Sequence, residues 1–366
     1  MKEVQNYQCP NCTAGLSFDS ETQRMVCEYC GSSFSIEELE AMLQEKEQQE
    51  HPDCQKKEQQ EEAQGQRTDL SGMQAWNCPS CGAEIIAEET TAAMKCPYCD
   101  NPSVIPEQLE GLYAPDFIIP FKKSKKQAVN QLKKHYKGKL FLPKVFQDEN
   151  HIKEIKGIYV PFWLFDLEAS GDFSMEGVQT STYQRGEYQY VEERFYQVIR
   201  SGNMKFLKIP VDGSRQIKDE QMEAIEPYSY EDLVPFQSSY LSGYLANKYD
   251  VKPEELEERV MQRMSSSVKS YFQRTCTEYD RIRVLQEEIH VTEKGKIQYG
   301  LFPVWFLNTR WKGENYSFVM NGQTGKMIGD LPLDGKLMAK YWIKWHVILT
   351  SAMVAVMVLL RFLGVM

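Results

Sequence analysis

The chain has 366 residues, which is enough for two or three domains. Its formal net charge of −10 excludes the overall basic character that is usual for nucleic-acid-binding proteins, but it leaves a local contact with nucleic acid open. Ten cysteines, in a chain whose first 30 residues lack the pattern of a secretory signal peptide, fit a reducing compartment.

A four-cysteine unit occurs twice, and corresponding cysteines are 69 residues apart. In each copy, two Cys-x-x-Cys pairs flank fourteen residues; the copies contain Cys9, Cys12, Cys27 and Cys30, and Cys78, Cys81, Cys96 and Cys99. Each pair can form a tight turn that directs two thiolates at one point, so two pairs supply the four ligands of a tetrahedral zinc site. We predict two small zinc ribbons, at residues 1–36 and 76–103. Each would hold one structural Zn2+ with no open position for catalysis.

Cysteine pairs also serve in redox chemistry and in disulfides. A redox Cys-x-x-Cys would occur once and beside a βαβ pattern, and neither condition is met. A disulfide framework would require secretion. Zinc is therefore the favoured interpretation.

Between the two units, the composition changes to glutamate, glutamine and lysine. Ser35 and Glu38 match a capping box and predict the start of a short helix. Residues 37–75 contain eleven acidic and four basic side chains, and such a segment buries too little apolar surface to fold alone. We predict an acidic, Glu/Gln-rich solvated linker that lets the ribbons move independently. The alternative is a docking segment for a basic partner.

A basic run follows the second unit. Residues 122–139 contain eight lysines, and Ala128, Val129 and Leu132 form a modest apolar face. The run is either a solvated helix face or a surface attracted to anionic groups, which are lipid headgroups or nucleic-acid phosphates.

Two apolar runs, at residues 157–166 and 300–308, share a Pro-x-Trp core. Pro161 precedes Trp163 in the first run, and Pro303 precedes Trp305 in the second. Each run is too short for a helix and is typical of a buried strand. The tryptophans are then core residues rather than a platform for a ligand.

The remaining patterns predict an α+β domain at residues 104–335. Residues 183–198 and 282–291 are typical of strands, whereas residues 231–250 and 253–275 have helical patterns. Asn321 and Gly322 indicate a hairpin turn. The nearby Gly-Gln-Thr-Gly-Lys run is not a phosphate-binding loop, because Met320 and Met327 replace the required glycine and hydroxyl residue.

Residues 345–365 are almost continuously apolar and predict a membrane helix. At about 1.5 Å per residue, the 21 residues span roughly 31 Å, which matches the hydrocarbon thickness of a bilayer. Lysines precede the span at Lys336, Lys340 and Lys344, so the positive-inside rule places the large N-terminal part in the cytoplasm. We predict a single-pass, tail-anchored protein of the cell membrane. The alternative is a buried core helix.

The chain resembles a group of bacterial TFIIB-type zinc-ribbon membrane proteins. The resemblance rests on the ribbons, the strand at residues 159–163, the hairpin at residues 321–326 and the terminal anchor. Members of this group are often labelled primosomal or replication-restart helicase-like. Some are encoded beside PspA-type and SPFH (flotillin-like) membrane proteins. The resemblance implies an adaptor in the membrane-stress response, with PspA-type or SPFH proteins as partners.

We therefore predict a non-enzymatic, zinc-binding membrane adaptor that recruits cytoplasmic or peripheral membrane proteins. No catalytic constellation occurs around the five histidines, and no phosphate loop supports helicase activity. The alternative is a membrane-associated protein that binds nucleic acid or takes part in replication.

Overall fold

The computed structural model describes residues 9–12, 14–42, 73–78, 82–88, 96–98, 105–107 and 115–362. In chain order, its strands are β1 (Ser17–Asp19), β2 (Arg24–Val26), β3 (Ser33–Phe34), β4 (Met73–Asn77), β5 (Glu84–Glu88), β6 (Ile105–Glu107), β7 (Phe117–Ile118), β8 (Lys156–Arg185), β9 (Tyr188–Asp212), β10 (Val234–Pro235), β11 (Leu245–Asn247), β12 (Arg281–Trp311), β13 (Glu314–Asn321) and β14 (Met327–Gly329). Its helices are α1 (described at residues 36–42), α2 (Lys125–Tyr136), α3 (Lys144–Gln147), α4 (Glu149–Ile152), α5 (Asp219–Ala224), α6 (Glu257–Arg274) and α7 (Gly335–Phe362).

The described strands form two sheets. β1, β2 and β3 make a small antiparallel sheet around the first cysteine unit. β4 to β14 make an eleven-stranded mixed sheet whose main order is β10-β7-β12-β8-β11-β5-β4-β6, while β9 pairs with β8, and β13 pairs with β12 and β14. The large sheet crosses the boundary predicted at residues 103/104, because β4 and β5 of the second cysteine unit belong to it.

Three long strands, β9, β8 and β12, form the centre of the large sheet. At about 3.3 Å per residue, β8 and β12 each extend roughly 90–100 Å. β8, β9 and β12 together contain the strand patterns predicted at residues 157–166, 183–198, 282–291 and 300–308. These predictions are confirmed. β-bulges interrupt the β8–β12 pairing, for example between Val284 and Gln286. Each strand continues through its bulges, so apolar runs that are separate in the sequence lie in one strand.

The two Pro-x-Trp runs lie side by side in the antiparallel pair β8–β12. Tyr159 is opposite Pro303, and Pro161 is opposite Leu301. Trp163 and Trp305 are both buried, and their indole N–H groups donate to the carbonyls of Val251 and Lys123 at 2.9 and 2.7 Å. The prediction that these tryptophans are core residues is confirmed.

Both faces of this part of the sheet are covered, so the core has two halves. Along β8, Tyr159 and Trp163 face one half, whereas Val160 and Phe162 face the other. Successive strand side chains point to opposite faces, and a run that is buried on both faces is therefore apolar throughout.

Helix α6 covers the first half of the core next to β8 and β9. Its side chains at every fourth position, Val260, Met264, Val268 and Phe272, are buried, as the helical period requires. This confirms the helix predicted at residues 253–275. The helix predicted at residues 231–250 is wrong, because this segment contains two 3-10 turns and the short strands β10 and β11.

The hairpin and capping predictions also agree with the structure. Asn321 ends β13, and Asn321 Oδ1 accepts hydrogen bonds from the N–H groups of Gln323 and Thr324 in the turn before β14. The capping box before α1 is present, with the Ser35 N–H donating to Glu38 at 2.6 Å and the Glu38 N–H donating to Ser35 Oγ at 3.1 Å. Residues 43–72, most of the predicted linker, lie outside the described residues.

Candidate metal centre and membrane helix

The first cysteine unit brings four sulfur atoms together. The Sγ atoms of Cys9, Cys12, Cys27 and Cys30 all lie within 4.8 Å of one another. Cys9 Sγ is 3.5 Å from Cys30 Sγ, and Cys12 Sγ is 3.5 Å from Cys27 Sγ. These distances exceed the roughly 2.05 Å of a disulfide, whereas Zn–S bonds of about 2.3 Å give S–S separations of roughly 3.8 Å in a regular tetrahedron. The arrangement therefore fits a tetrahedral metal ion.

Two tight backbone turns hold the four sulfurs. The N–H of Cys9 donates to the carbonyl of Ala14 at 2.7 Å, and the N–H of Cys27 donates to the carbonyl of Ser32 at 2.9 Å. The second turn is completed by Gly31, whose φ of 74° lies in the left-handed region that glycine adopts without strain. The sequence therefore places both Cys-x-x-Cys pairs at equivalent turns.

The thiols are electrostatically unequal. A hydrogen bond with the Ser32 hydroxyl, at 3.2 Å, is the main cause that lowers the pKa of Cys30 to about 6. The backbone of Ala14 lowers the pKa of Cys12, but desolvation and the three neighbouring cysteines together raise it to about 12. Four thiolates in this space repel one another, and a divalent cation would compensate that repulsion.

The first ribbon is packed against the large sheet. Ser242 Oγ donates to the carbonyl of Leu16 at 2.5 Å, and the N–H of Phe18 donates to the carbonyl of Ser242 at 3.2 Å. The rings of Phe18 and Tyr240 meet edge to face at 5.2 Å. Gly243, with φ of 84°, brings the backbone close to Ser17. The expectation that the linker leaves this ribbon free to move is therefore not what the structure shows.

The second unit is described only in part, and Cys81 and Cys99 lie outside the described residues. Cys78 and Cys96 are fully buried. The turn at Cys78 repeats the turn at Cys27, because the Cys78 N–H donates to the carbonyl of Ala83 at 2.9 Å and Gly82 has φ of 73°. One turn of this unit therefore has the backbone geometry of the first ribbon.

The second unit is part of the main core rather than a separate body. β5 pairs with β11, and the side chain of Glu84 forms an ion pair with Lys248 at 2.6 Å. Asn308 Nδ2 donates to the carbonyl of Tyr98 at 2.6 Å, and the Tyr98 ring lies 5.2 Å from that of Phe306. The second unit therefore packs directly on the α+β domain.

Each four-cysteine unit contains a tyrosine, and the two tyrosines lie in different environments. Tyr29 and Tyr98 occupy the same position before the last cysteine of each copy. Tyr98 is 7% exposed and attaches its unit to the sheet, whereas Tyr29 is 84% exposed. No prediction from the sequence used this pair, although both units contain a Cys-x-Tyr-Cys motif.

A cavity of about 1070 Å³ lies between the first ribbon and the large sheet. Asp19, Glu21 and Glu28 line its ribbon side, while Lys125 and Lys126 of α2 line it from the domain. Glu154 and Lys156 also line the domain side, so the ribbon side is acidic, whereas the domain side carries three lysines and one glutamate. Its residues come from distant parts of the chain, so no local sequence pattern indicated it.

Helix α7 is long and apolar enough to span a membrane, and it is the only helix of the described chain that meets this condition. It begins at Gly335, ten residues before the predicted span, while residues 363–365 of that prediction lie outside the described residues. None of its most apolar window is buried within the protein. This exposure argues against the alternative of a core helix.

Comparison with known proteins identifies a relative of this chain. No family model and no solved structure matches the chain. The chain is 36% identical over 335 residues to the "Uncharacterized protein YdjG" of Bacillus subtilis (strain 168), and the match covers 91% of this chain and 92% of YdjG. At this identity and coverage, the chain belongs to the YdjG family.

Proposed function

We propose that this protein is a non-enzymatic, zinc-dependent membrane adaptor that recruits cytoplasmic or peripheral membrane proteins. The observation that carries the proposal is the closed four-sulfur cluster, which supports a ribbon with an exposed tyrosine beside an open cavity. All four ligand positions of the cluster come from cysteine, so no position remains for a water or a substrate. The metal would then stabilise a binding surface without taking part in a reaction.

The metal is proposed to be zinc, and each cysteine unit is proposed to hold one ion. Zinc prefers the tetrahedral, all-thiolate ligand set that the first unit offers. In the second unit, support comes from the buried Cys78 and Cys96 and from the turn at Cys78, with Cys81 and Cys99 completing the set. When bound, the ions would crosslink the segments of two small folds.

We place the bulk of the protein in the cytoplasm, anchored by α7 as a single C-terminal span. The reduced thiolates of a zinc site are stable there. Lysines in the first turns of α7 have the charge that the positive-inside rule assigns to this side.

The partner-binding surface is proposed to be the tip of the first ribbon together with the adjacent cavity. Tyr29 presents a large, amphipathic ring, the kind of side chain that is enriched at binding hot spots. Its neighbour Glu28 lines the cavity, so the two features are continuous. PspA-type or SPFH membrane proteins, which the resemblance implies as partners, are the first candidates to examine.

Affinity capture from native membranes tests this function. Full-length protein would be compared with a Cys9→Ser/Cys12→Ser variant, which loses two ligands of the first ribbon. We expect specific membrane-associated proteins with the wild type and their loss with the variant. A Cys276→Ser variant controls for thiol removal, because Cys276 belongs to neither unit and its Sγ contacts the carbonyl of Phe272 in α6 at 3.4 Å.

The same capture tests the alternative function. Nucleic acid or replication proteins, recovered in amounts that fall steeply with salt, would favour a nucleic-acid-associated role. The absence of any reproducible protein partner would overturn the adaptor proposal.

A further inference from the structure

The loop between α2 and α3 lies beside the start of the membrane helix. Phe141 packs edge to face on Tyr341 of α7, with ring centroids 5.4 Å apart. The N–H of Asp334, just before α7, donates to the carbonyl of Phe141 at 2.9 Å. The loop is therefore fixed to the helix by a ring contact and a backbone hydrogen bond.

This attachment fixes the height of the loop relative to a bilayer. Tyr341 precedes Trp345, the first residue of the apolar stretch, by one helical turn, and their rings are 6.0 Å apart. Four residues of helix rise about 6 Å, which is comparable to the thickness of one headgroup layer. If α7 spans the membrane, Phe141 and its neighbours lie at headgroup level.

The side chains around this point are basic and accessible. Lys137, Lys139 and Lys144 flank Phe141 on the loop and on α3; all three are exposed, and none forms an ion pair with any residue of the described ranges. The first turns of α7 add three exposed lysines: Lys336, Lys340 and Lys344.

Two nearby carboxylates are paired with lysines outside this surface, and Asp148 caps α4 by accepting hydrogen bonds from the N–H groups of Asn150 and His151. Glu149 forms an ion pair with Lys133 at 2.9 Å, and Asp334 interacts with Lys312 at 3.7 Å. Beside the lysines, Leu140 is 66% exposed. An exposed leucine among lysines suits the boundary between headgroups and acyl chains.

The basic run at residues 122–139 is therefore not one patch. Lys125 and Lys126 line the cavity at the start of α2, and Lys122 pairs with Asp232 at 2.6 Å. The end of the run, about 18 Å further along this twelve-residue helix, lies beside α7.

We propose that Lys137, Lys139 and Lys144, with Leu140, form a headgroup-binding surface for anionic phospholipids. This surface would hold the α+β domain against the membrane beside its anchor. The inference uses the membrane placement of the proposed function but is independent of any protein partner. Nucleic acid fits this surface less well than lipid does, because a duplex bound to these lysines would collide with the bilayer surface.

The test uses full-length protein in nanodiscs of phosphatidylcholine alone or of an equal mixture with phosphatidylglycerol. Acetylation rates of individual lysines are read by mass spectrometry, and Lys296, exposed on β12 away from α7, serves as the internal reference. We expect Lys137, Lys139 and Lys144 to react about fivefold more slowly in the anionic discs, with Lys296 unchanged. Equal rates in both lipids would overturn the proposal.

A pair of variants gives an independent readout. The Lys137→Gln/Lys139→Gln/Lys144→Gln variant removes three charges from the surface, and Lys218→Gln/Lys252→Gln/Lys296→Gln removes three exposed charges elsewhere. We expect the first variant to lose most of the phosphatidylglycerol that copurifies with wild-type protein, and the second to retain it. Equal retention by both variants would refute the lipid site.

Two further outcomes separate this inference from its alternatives. Protection of the three lysines by duplex DNA in neutral discs, without protection by anionic lipid, would reassign the surface to nucleic acid. Failure to capture a protein partner would contradict the adaptor function but leave lipid protection of these lysines intact.

Discussion

Replacement of Ser242 by alanine tests whether the first ribbon is held on the sheet. The Ser242 hydroxyl donates to the carbonyl of Leu16, and both residues are buried, with exposures of 5% and 4%. Without the hydroxyl, the Leu16 carbonyl loses this donor in a region closed to water, at a cost of about 1–3 kcal/mol. The population of undocked ribbon should therefore rise about 5- to 150-fold.

Hydrogen exchange of the full-length protein in detergent measures this population. The amide of Phe18 is an internal reporter, because it donates to the Ser242 carbonyl across the contact. Its exchange rate, and that of the ribbon amides that depend on docking, should rise in Ser242→Ala by the same factor.

Ser239→Ala is the matched control for this experiment. The Ser239 hydroxyl is also buried and lies on the 3-10 turn that ends just before Ser242, but it has no hydrogen-bond partner among the described residues. We expect no increase in ribbon exchange for this control. Equal exchange in wild type and Ser242→Ala would show that the ribbon is not held as described.

Three further predictions concern the metal, the second unit and a buried carboxyl. A strong zinc chelator should remove the hydrogen-exchange protection of residues 14–39 while the β8–β12 pairing stays protected, because the metal supplies most of the folding free energy of a small ribbon. Retained protection of the ribbon after complete metal removal would contradict this prediction. Tyr98→Ala should lower the unfolding free energy by about 3–5 kcal/mol through loss of its packing on Phe306, whereas Tyr29→Ala should change it by less than about 0.5 kcal/mol. Comparable effects of the two variants in denaturant unfolding would refute the different roles of these tyrosines. Burial raises the pKa of Asp212 to about 6 despite its ion pair with Arg259. This group should therefore add up to about 3 kcal/mol of stability as the pH falls from above 6 towards 4. Asp212→Asn should lose this pH dependence in unfolding measurements, and an unchanged pH dependence would contradict the prediction.

The sequence was most informative where a short pattern determines its own local geometry. The cysteine spacing predicted the first sulfur cluster, because each Cys-x-x-Cys turn positions its own two thiols and only the two turns must meet. The Pro-x-Trp runs predicted buried strands, and the structure pairs them directly. Both signals depend mainly on local geometry and on apolar content.

The sequence was misleading at residues 231–250. The apolar residues there have a helical spacing, but tertiary contacts determine the local structure. Pro235 lacks a backbone donor, and Gly243 adopts a left-handed conformation. Buried polar side chains also find distant partners here, as Asn247 does with Ser214 at 2.8 Å. These contacts favour turns and short strands over a helix.

Docking and surface placement could not be predicted, because they depend on residues far apart in the chain. The contact between Ser242 and Leu16 joins positions 226 residues apart. Likewise, only the structure shows that Phe141 lies against Tyr341 and thereby places the end of the basic run beside the membrane helix. Composition had identified the lysines but not the surfaces to which they belong.

Site-specific photocrosslinking from position 29 in intact membranes tests the adaptor function most directly. A photoreactive residue would replace the exposed Tyr29, and the same residue at Tyr271, 58% exposed on α6, would serve as the control. The account predicts a reproducible protein adduct from position 29 that disappears in the Cys9→Ser/Cys12→Ser background and is absent from position 271. Adducts that are equal at both positions, or that persist without the cysteines, would contradict a zinc-dependent adaptor.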